Sequence, residues 1–178
     1  RTPAQVQAEL DWLLALREAG AAVLEPLPSL TGTWTELVVR DGNVVATAAC
    51  YRKVPGRHLH PTEWDADLRR RFGTLLGHLH AQARAWTPPG PLRPDWRDAD
   101  TLDRAAEAAP EDEALQAALR QLLPRANTLT QRLSDVGTIH ADAHTWNLLV
   151  HDGGACTLID FDDAVRGPYL YDLAVTLY

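Results

Sequence analysis

Apolar positions change their spacing along the chain, and the changes mark its elements. Val6, Leu10, Leu13 and Leu14 recur at helical intervals after an opening Thr2-Pro3-Ala4-Gln5. Thr2 can cap such a helix. Pro3 suits its first position, where an N–H would lack a partner anyway, and Gln5 completes a capping box. The spacing predicts a helix over 2–19 that Gly20 stops. Two apolar, β-branched runs follow, Trp34–Arg40 and Val44–Tyr51, separated by Asp41-Gly42-Asn43. That arrangement predicts a β-hairpin.

The Pro-Gly pair within Val54–Pro61 breaks regular structure, and beyond it the helical period returns. Trp64, Leu68, Phe72, Leu75, Leu76, Leu79 and Ala83 share one face of a predicted helix with Thr62 as its cap. Residues 87–96, rich in proline, are expected to form a surface loop. A second helical run carries Leu115, Leu119, Leu122 and Leu123, meets Pro124 and resumes to Leu133. Short strands are expected at Val136–Ile139, Leu148–Val150 and Cys156–Ile159, the last two joined through Asp152-Gly153-Gly154, and a final helix from about Tyr169. The expected organisation is two units, 1–53 and 54–178, with a hinge near 50–56.

Composition narrows the class. The net charge is −7 and no stretch concentrates the basic residues, which argues against a nucleic-acid partner. No apolar run approaches the roughly 18 to 20 residues a membrane span needs, and no signal-peptide pattern opens the chain. Cys50 and Cys156 stand far apart and read as small core residues of a reducing, cytoplasmic setting. Methionine is absent and the first residue is Arg1, so the chain is expected to be part of a longer protein. Lys53 is the single lysine.

The chemistry concentrates at the two ends of the last hairpin. One end carries His140, Asp142, His144 and Asn147; the other carries Asp160, Asp162 and Asp163. A tight hairpin brings its ends together, and carboxylates converging there repel unless a cation joins them. Oxygen ligands of this kind suit Mg²⁺, which pairs one or two carboxylates with waters and substrate phosphates. Asp142 precedes Asn147 by five residues and Asn147 precedes Asp160 by thirteen. A catalytic aspartate, a metal-binding asparagine and a metal-binding aspartate at such intervals are the parts of a kinase-type phosphotransfer site. By contrast, His78 and His80 point to different faces of their helix, which argues against joint metal binding.

At these residues the sequence resembles a known family. "IHADAHTWNLLV" and "TLIDFDDAVRGPYLYDLA" resemble the catalytic half of the aminoglycoside phosphotransferase and choline kinase-like enzymes. The resemblance implies an α+β, bilobal protein-kinase-like fold: a partial small lobe of helix and hairpin, and a mainly helical large lobe with short hairpins. It implies ATP, or another nucleoside triphosphate, and Mg²⁺ as cofactors, with a small-molecule hydroxyl as acceptor. Asp142 would orient or deprotonate that hydroxyl, and Asn147 and Asp160 would hold the metal, with Asp162 reaching it through water. His140 would brace the catalytic loop, Asp172 would fasten it from below, and His144 matches the family's histidine. Glu9 would pair with a phosphate-gripping lysine, and the backbone of Cys50, Tyr51 and Arg52 would meet the nucleotide base. The glycine-rich loop and that lysine are absent from the chain, as are C-terminal helices, so the chain by itself is expected to be inactive. Two alternatives stand beside this reading: a nucleotide-binding module without catalysis, and a dimetal hydrolase resembling the ureohydrolases through "DAHT" and "DFDD".

Overall fold

The computed structural model describes residues 1–89, 95–96 and 107–177. Residues 90–94 of the loop expected over 87–96 lie outside these.

Helix α1 spans Pro3–Glu18, and its capping box forms as the sequence predicts: Thr2 accepts from the Gln5 N–H while the Gln5 side chain accepts from the Thr2 N–H. Its buried face carries Val6, Leu10, Trp12, Leu13 and Leu16, with Leu14 only half-buried beside it. A two-residue strand β1 (Pro26–Leu27), too short to leave a sequence signal, pairs with the end of β3. Strands β2 (Thr35–Arg40) and β3 (Asn43–Tyr51) form the predicted hairpin, with an irregularity between Val38 and Val39. The hairpin carries exposed apolar residues on both strands, among them Leu37, Val39, Val44 and Val45.

Helix α2 spans Ala66–Ala85, and here one expectation is corrected. Asp65, not Thr62, caps it by accepting from the Leu68 N–H at 2.8 Å, while Thr62 sits in a short 3-10 turn at Pro61–Glu63. Helix α3 (Glu113–Arg132) passes through Pro124 without stopping. Strands β4 (Val136–Ile139), β5 (Leu148–Val150) and β6 (Cys156–Leu158) match expectation. Strand β7 (Val165–Pro168), which the sequence reading left without structure, pairs antiparallel with β4 and leads directly into α4 (Tyr169–Leu177).

One core joins the two halves of the chain. Trp12, Leu13 and Leu16 of α1 pack with Phe72, Leu76 and Leu79 of α2, Ile139 of β4, Leu148 of β5 and Leu158 of β6. The link is extended by backbone contacts: Leu158 donates to Ala22 O at 3.0 Å, and Val23 bridges to Leu158. Every strand pair named here is antiparallel, so the described residues lack the parallel sheet that the dimetal hydrolase alternative requires.

Candidate active site

The β5–β6 hairpin sets the site's register. Leu148 pairs with Leu158, and immediately outside that pair the Ile159 N–H donates to Asn147 O at 2.9 Å. Asp160 therefore begins one residue from Asn147. On the other side, Asn147 Nδ2 donates to Asp142 Oδ2 at 2.7 Å and to Asp142 O at 3.0 Å. A 3-10 turn at Thr145–Asn147 makes this reach short enough. Asp142, Asn147 and Asp160 thus share one patch. With Nδ2 given to Asp142, the Asn147 amide has Oδ1 left as a ligand atom.

Phe161 explains how Asp160 and Asp162 come to face outward. Its side chain is fully buried, edge-on to Trp12 at 5.5 Å and 4.5 Å from the His140 ring. Neighbours of a buried anchor point away from the core, and both aspartates are exposed. Asp160 holds a left-handed backbone with φ of 62°. Its carboxylate accepts no hydrogen bond and joins no ion pair among the described residues. An exposed carboxylate without a partner among the described residues, one residue past the backbone bond between Ile159 and Asn147, suits a hard divalent cation. Among the described residues no three His, Cys, Asp or Glu side chains form a closed cage, so further ligands would come from water or phosphate.

The loop bearing Asp142 is braced from below. Asp172, fully buried in the first turn of α4, accepts from the His140 N–H at 3.1 Å and the Ala141 N–H at 2.7 Å. It also meets His80 Nε2 at 2.8 Å. Ala141 needs that support, since a φ of 67° is unfavourable for any residue with a Cβ. His140 ties the two loops together: its Nε2 donates to Ile159 O at 3.0 Å and its Nδ1 accepts from the Asp142 N–H at 3.2 Å. Burial pushes the His140 imidazole below its ordinary pKa, against the raising effect of the Ile159 carbonyl. It is therefore neutral near pH 7, as a brace should be. His144 Nδ1 accepts from the Trp146 N–H at 3.1 Å, which leaves Nε2 to carry the proton, 3.3 Å from Asp142 Oδ2. Both contacts fall on Oδ2, and Asp142 Oδ1 remains for another donor.

The N-terminal half supplies a second polar group. Glu9 is buried on α1, accepting from Tyr51 Oη at 2.8 Å and paired with the Arg1 guanidinium. Arg1 also reaches Asp162 Oδ1 at 2.7 Å, so one guanidinium spans α1 and the metal loop. Burial, then the Glu9 charge, pushes the Tyr51 phenol well above its usual value and keeps it a donor. Lys53 is exposed beyond β3, and in this chain Glu9 takes an arginine where the sequence reading expected a lysine. Of the three hinge residues, Cys50 and Tyr51 pair with β1, and the Arg52 N–H is taken by Glu25 O at 2.8 Å. Sequence reasoning missed His80 and the roles of Arg1 and the Tyr51 phenol. The signal for His80 was available: it stands four residues after Leu76, on the buried stripe of α2, where a polar group must find a partner.

The match to known proteins spans the whole chain: residues 1–178 fit the model of the phosphotransferase enzyme family. The chain belongs to that family. It is 30% identical to the amicoumacin kinase of Bacillus subtilis (strain 168) over 183 residues, covering 100% of this chain and 53% of that protein. It is 33% identical to the homoserine kinase of Pseudomonas aeruginosa (strain LESB58) over 162 residues, covering 79% of this chain and 46% of that protein. The fold resembles an amicoumacin kinase solved with AMP-PNP, Ca²⁺ and Ami, with a TM-score of 0.87 at 26% identity, over 100% of this chain and 54% of that one. It also resembles a microcompartment-associated aminopropanol kinase, with a TM-score of 0.72 at 28% identity, over 99% and 59% of the two chains. The chain thus spans about half the length of the curated relatives it matches. These likenesses establish the α+β architecture of the aminoglycoside phosphotransferase and choline kinase-like fold. No helix of the described residues is long and apolar enough to cross a membrane.

Proposed function

We propose that this chain carries the catalytic and metal-binding part of an ATP-dependent phosphotransferase acting on a hydroxyl of a small molecule. The observation that carries the reading is the patch in which Asn147 bonds Asp142 and, through the β5–β6 hairpin, adjoins Asp160. Relatives named as kinases of amicoumacin and homoserine, and the AMP-PNP and Ca²⁺ of one similar structure, support the same class. As an ATP-dependent enzyme it would work in the cytoplasm, where ATP is supplied.

In this reading Asp142 Oδ1 receives the acceptor hydroxyl. The acceptor oxygen bonds the γ-phosphorus, the bond from that phosphorus to the ADP oxygen breaks, and the acceptor's proton passes to Asp142. Asn147 Oδ1 and Asp160 would hold Mg²⁺, with Asp162 on the same loop available to a water of its shell. The cation's chemistry is neutralisation of charge on the phosphate oxygens. His140, Asp172 and His80 hold the loop so that little reorganisation is required at the moment of transfer. Arg1 ties Glu9 of α1 to Asp162 of the metal loop.

The test is transfer of label from [γ-³²P]ATP to hydroxyl acceptors, such as homoserine and 1-amino-2-propanol, by a protein of the relatives' length containing these residues. Removing a positioned base costs roughly 10²- to 10⁴-fold, so Asp142→Asn should lower the Mg²⁺-dependent rate by at least two orders of magnitude. Wild-type rates in Asp142→Asn would sink the assignment. The 178-residue chain alone should be slower by about two to three orders, the cost of a missing cationic contact to the transferring group. Tight nucleotide binding without transfer at full length would favour the non-catalytic alternative.

A further inference from the structure

Trp12 carries an unmet hydrogen bond in the middle of the core. It is fully buried on α1, and its Nε1–H is one of two buried side-chain polar groups without a partner among the described residues, the other being the Tyr169 hydroxyl. An indole N–H donates and cannot accept, and a buried donor with no acceptor is a cost the fold carries. The Tyr169 hydroxyl lies tight against Gly137, where a Cβ would come within 1.8 Å of it. Trp12 differs, because its side chain borders a cleft.

The cleft runs between α1 and α2 and holds about 200 Å³. Trp12 and Leu16 are its buried floor, and Ala15, Gln82, Ala85 and Trp86 line the rest, with Ala85 exposed at the rim. Two alanines facing this space leave it unfilled. No lining residue is charged, and the Gln82 side chain makes no hydrogen bond among the described residues. Trp86 caps the end of α2 in extended backbone, its N–H bonded to Gln82 O at 2.9 Å. Its half-buried ring lies 6.4 Å from that of Trp12, tilted by 30°. A ring at a helix end, partly in solvent, can turn without unwinding the helix. Trp12 also meets Phe161 edge-on at 5.5 Å, and Phe161 separates Asp160 from Asp162 in the metal loop.

We infer that the cleft between α1 and α2 is a second binding site, for a small, planar, uncharged molecule that offers a hydrogen-bond acceptor to Trp12 Nε1–H, and that its occupancy is felt at the metal loop through Phe161. The volume sets the size: an apolar cavity of roughly 150 Å³ takes up benzene, so one ring with a carbonyl substituent fits here, whereas a helix about 10 Å across does not. The lining sets the charge, since an ion would be buried there without a counter-ion. The orphaned donor sets the functional group, and Trp86 turns aside to admit it. None of the six lining residues belongs to the Asp142, Asn147 and Asp160 patch, so the site is separate from the proposed transfer chemistry and does not depend on it.

The experiment is an NMR titration of a ¹⁵N-labelled protein of the relatives' length containing these residues, reading the Trp12 indole N–H, assigned by its disappearance in Trp12→Phe. Acetophenone should move it downfield saturably at millimolar concentration, and the Phe161 backbone amide should move with it. α-Methylstyrene, which has the same outline and no acceptor, should bind at least about threefold more weakly, the weight of one hydrogen bond. In Trp12→Phe, followed at the Phe161 amide, the two should bind alike. Ala85→Trp, on the exposed rim, should block both and leave the thermal melt as in the wild type, which keeps the test sound should Trp12→Phe fail to fold. Equal binding of the two probes to the wild type, no response at Trp12 or at Phe161, or binding that survives Ala85→Trp overturns the proposal. So does full competitive displacement of acetophenone by Mg²⁺-ATP, which would place the probe in the nucleotide site. A Trp12 N–H already bonded and indifferent to acetophenone would show that another segment of the longer protein fills the cleft, and would overturn it too.

Discussion

Replacing Asp172 should cost more stability than any other single polar change in the site. Its buried carboxylate collects three donors: His80 Nε2 at 2.8 Å, His140 N at 3.1 Å and Ala141 N at 2.7 Å. Hydrogen bonds to a charged group contribute about 1.5–3 kcal/mol each, and a buried donor left unpaired costs about 1–3 kcal/mol. The three share one acceptor, and removing it also relieves the cost of burying the charge, so simple addition overstates the loss. Asp172→Ala should therefore lose about 4 kcal/mol, and Asp172→Asn, which keeps one oxygen but turns an amide toward N–H donors, about 2 kcal/mol. Against a typical total of about 5–15 kcal/mol, the alanine variant is close to unfolding. Urea denaturation followed by tryptophan fluorescence gives the answer directly, since a loss of about 4 kcal/mol shifts the midpoint by roughly 2 M at an ordinary slope. A midpoint within about 0.3 M of wild type at unchanged slope would mean that Asp172 does not hold the loop, and the bracing account would fall.

Three further outcomes follow from the same geometry. Because burial depresses the His140 pKa in the folded chain, the unfolded chain binds its proton first as pH falls; stability should be fully present above about pH 6.5 and decline below it, by up to about 1.4 kcal/mol per pH unit, with His140→Gln flattening the dependence between pH 5 and 6.5. Gly137→Ala should destabilise by at least about 1–3 kcal/mol, because its Cβ would lie 1.8 Å from Tyr169 Oη; a thermal melt identical to wild type would contradict the packing of Tyr169 on β4. Asp160→Asn should leave the melt unchanged, as the side chain is exposed, makes no hydrogen bond among the described residues and asparagine tolerates the left-handed φ of 62° as aspartate does; a large loss of stability would show instead that the Asp160 carboxylate supports the fold.

The sequence made the local elements legible wherever a local force sets them. Thr2, Pro3 and Gln5 announce α1 because capping is decided within four residues, and Asp41-Gly42-Asn43 announces its hairpin for the same reason. Thr62 was expected to cap α2, but the path of the preceding 3-10 turn gives the cap to Asp65. Strand β7 was hidden because Val165-Arg166-Gly167-Pro168 has no period; it is a strand only because β4 lies beside it. Pro124 reads as a break, yet α3 runs through it. In the site, the spacing of Asp142, Asn147 and Asp160 was visible because one short hairpin joins them. The contacts of Arg1 with Asp162 and of His80 with Asp172 cross 161 and 92 residues of chain, and no local pattern encodes such pairs.

The central claim is that Asp142, Asn147 and Asp160 form one metal–nucleotide centre, and calorimetric titration of ATP into this chain with and without Mg²⁺ tests it most directly. Mg²⁺ should tighten ATP binding by at least about tenfold in the wild type, through the ligands Asn147 and Asp160, and that gain should vanish in Asp160→Asn while binding without metal stays the same. ATP affinity that is indifferent to Mg²⁺, or a Mg²⁺ effect that survives intact in Asp160→Asn, would contradict the account.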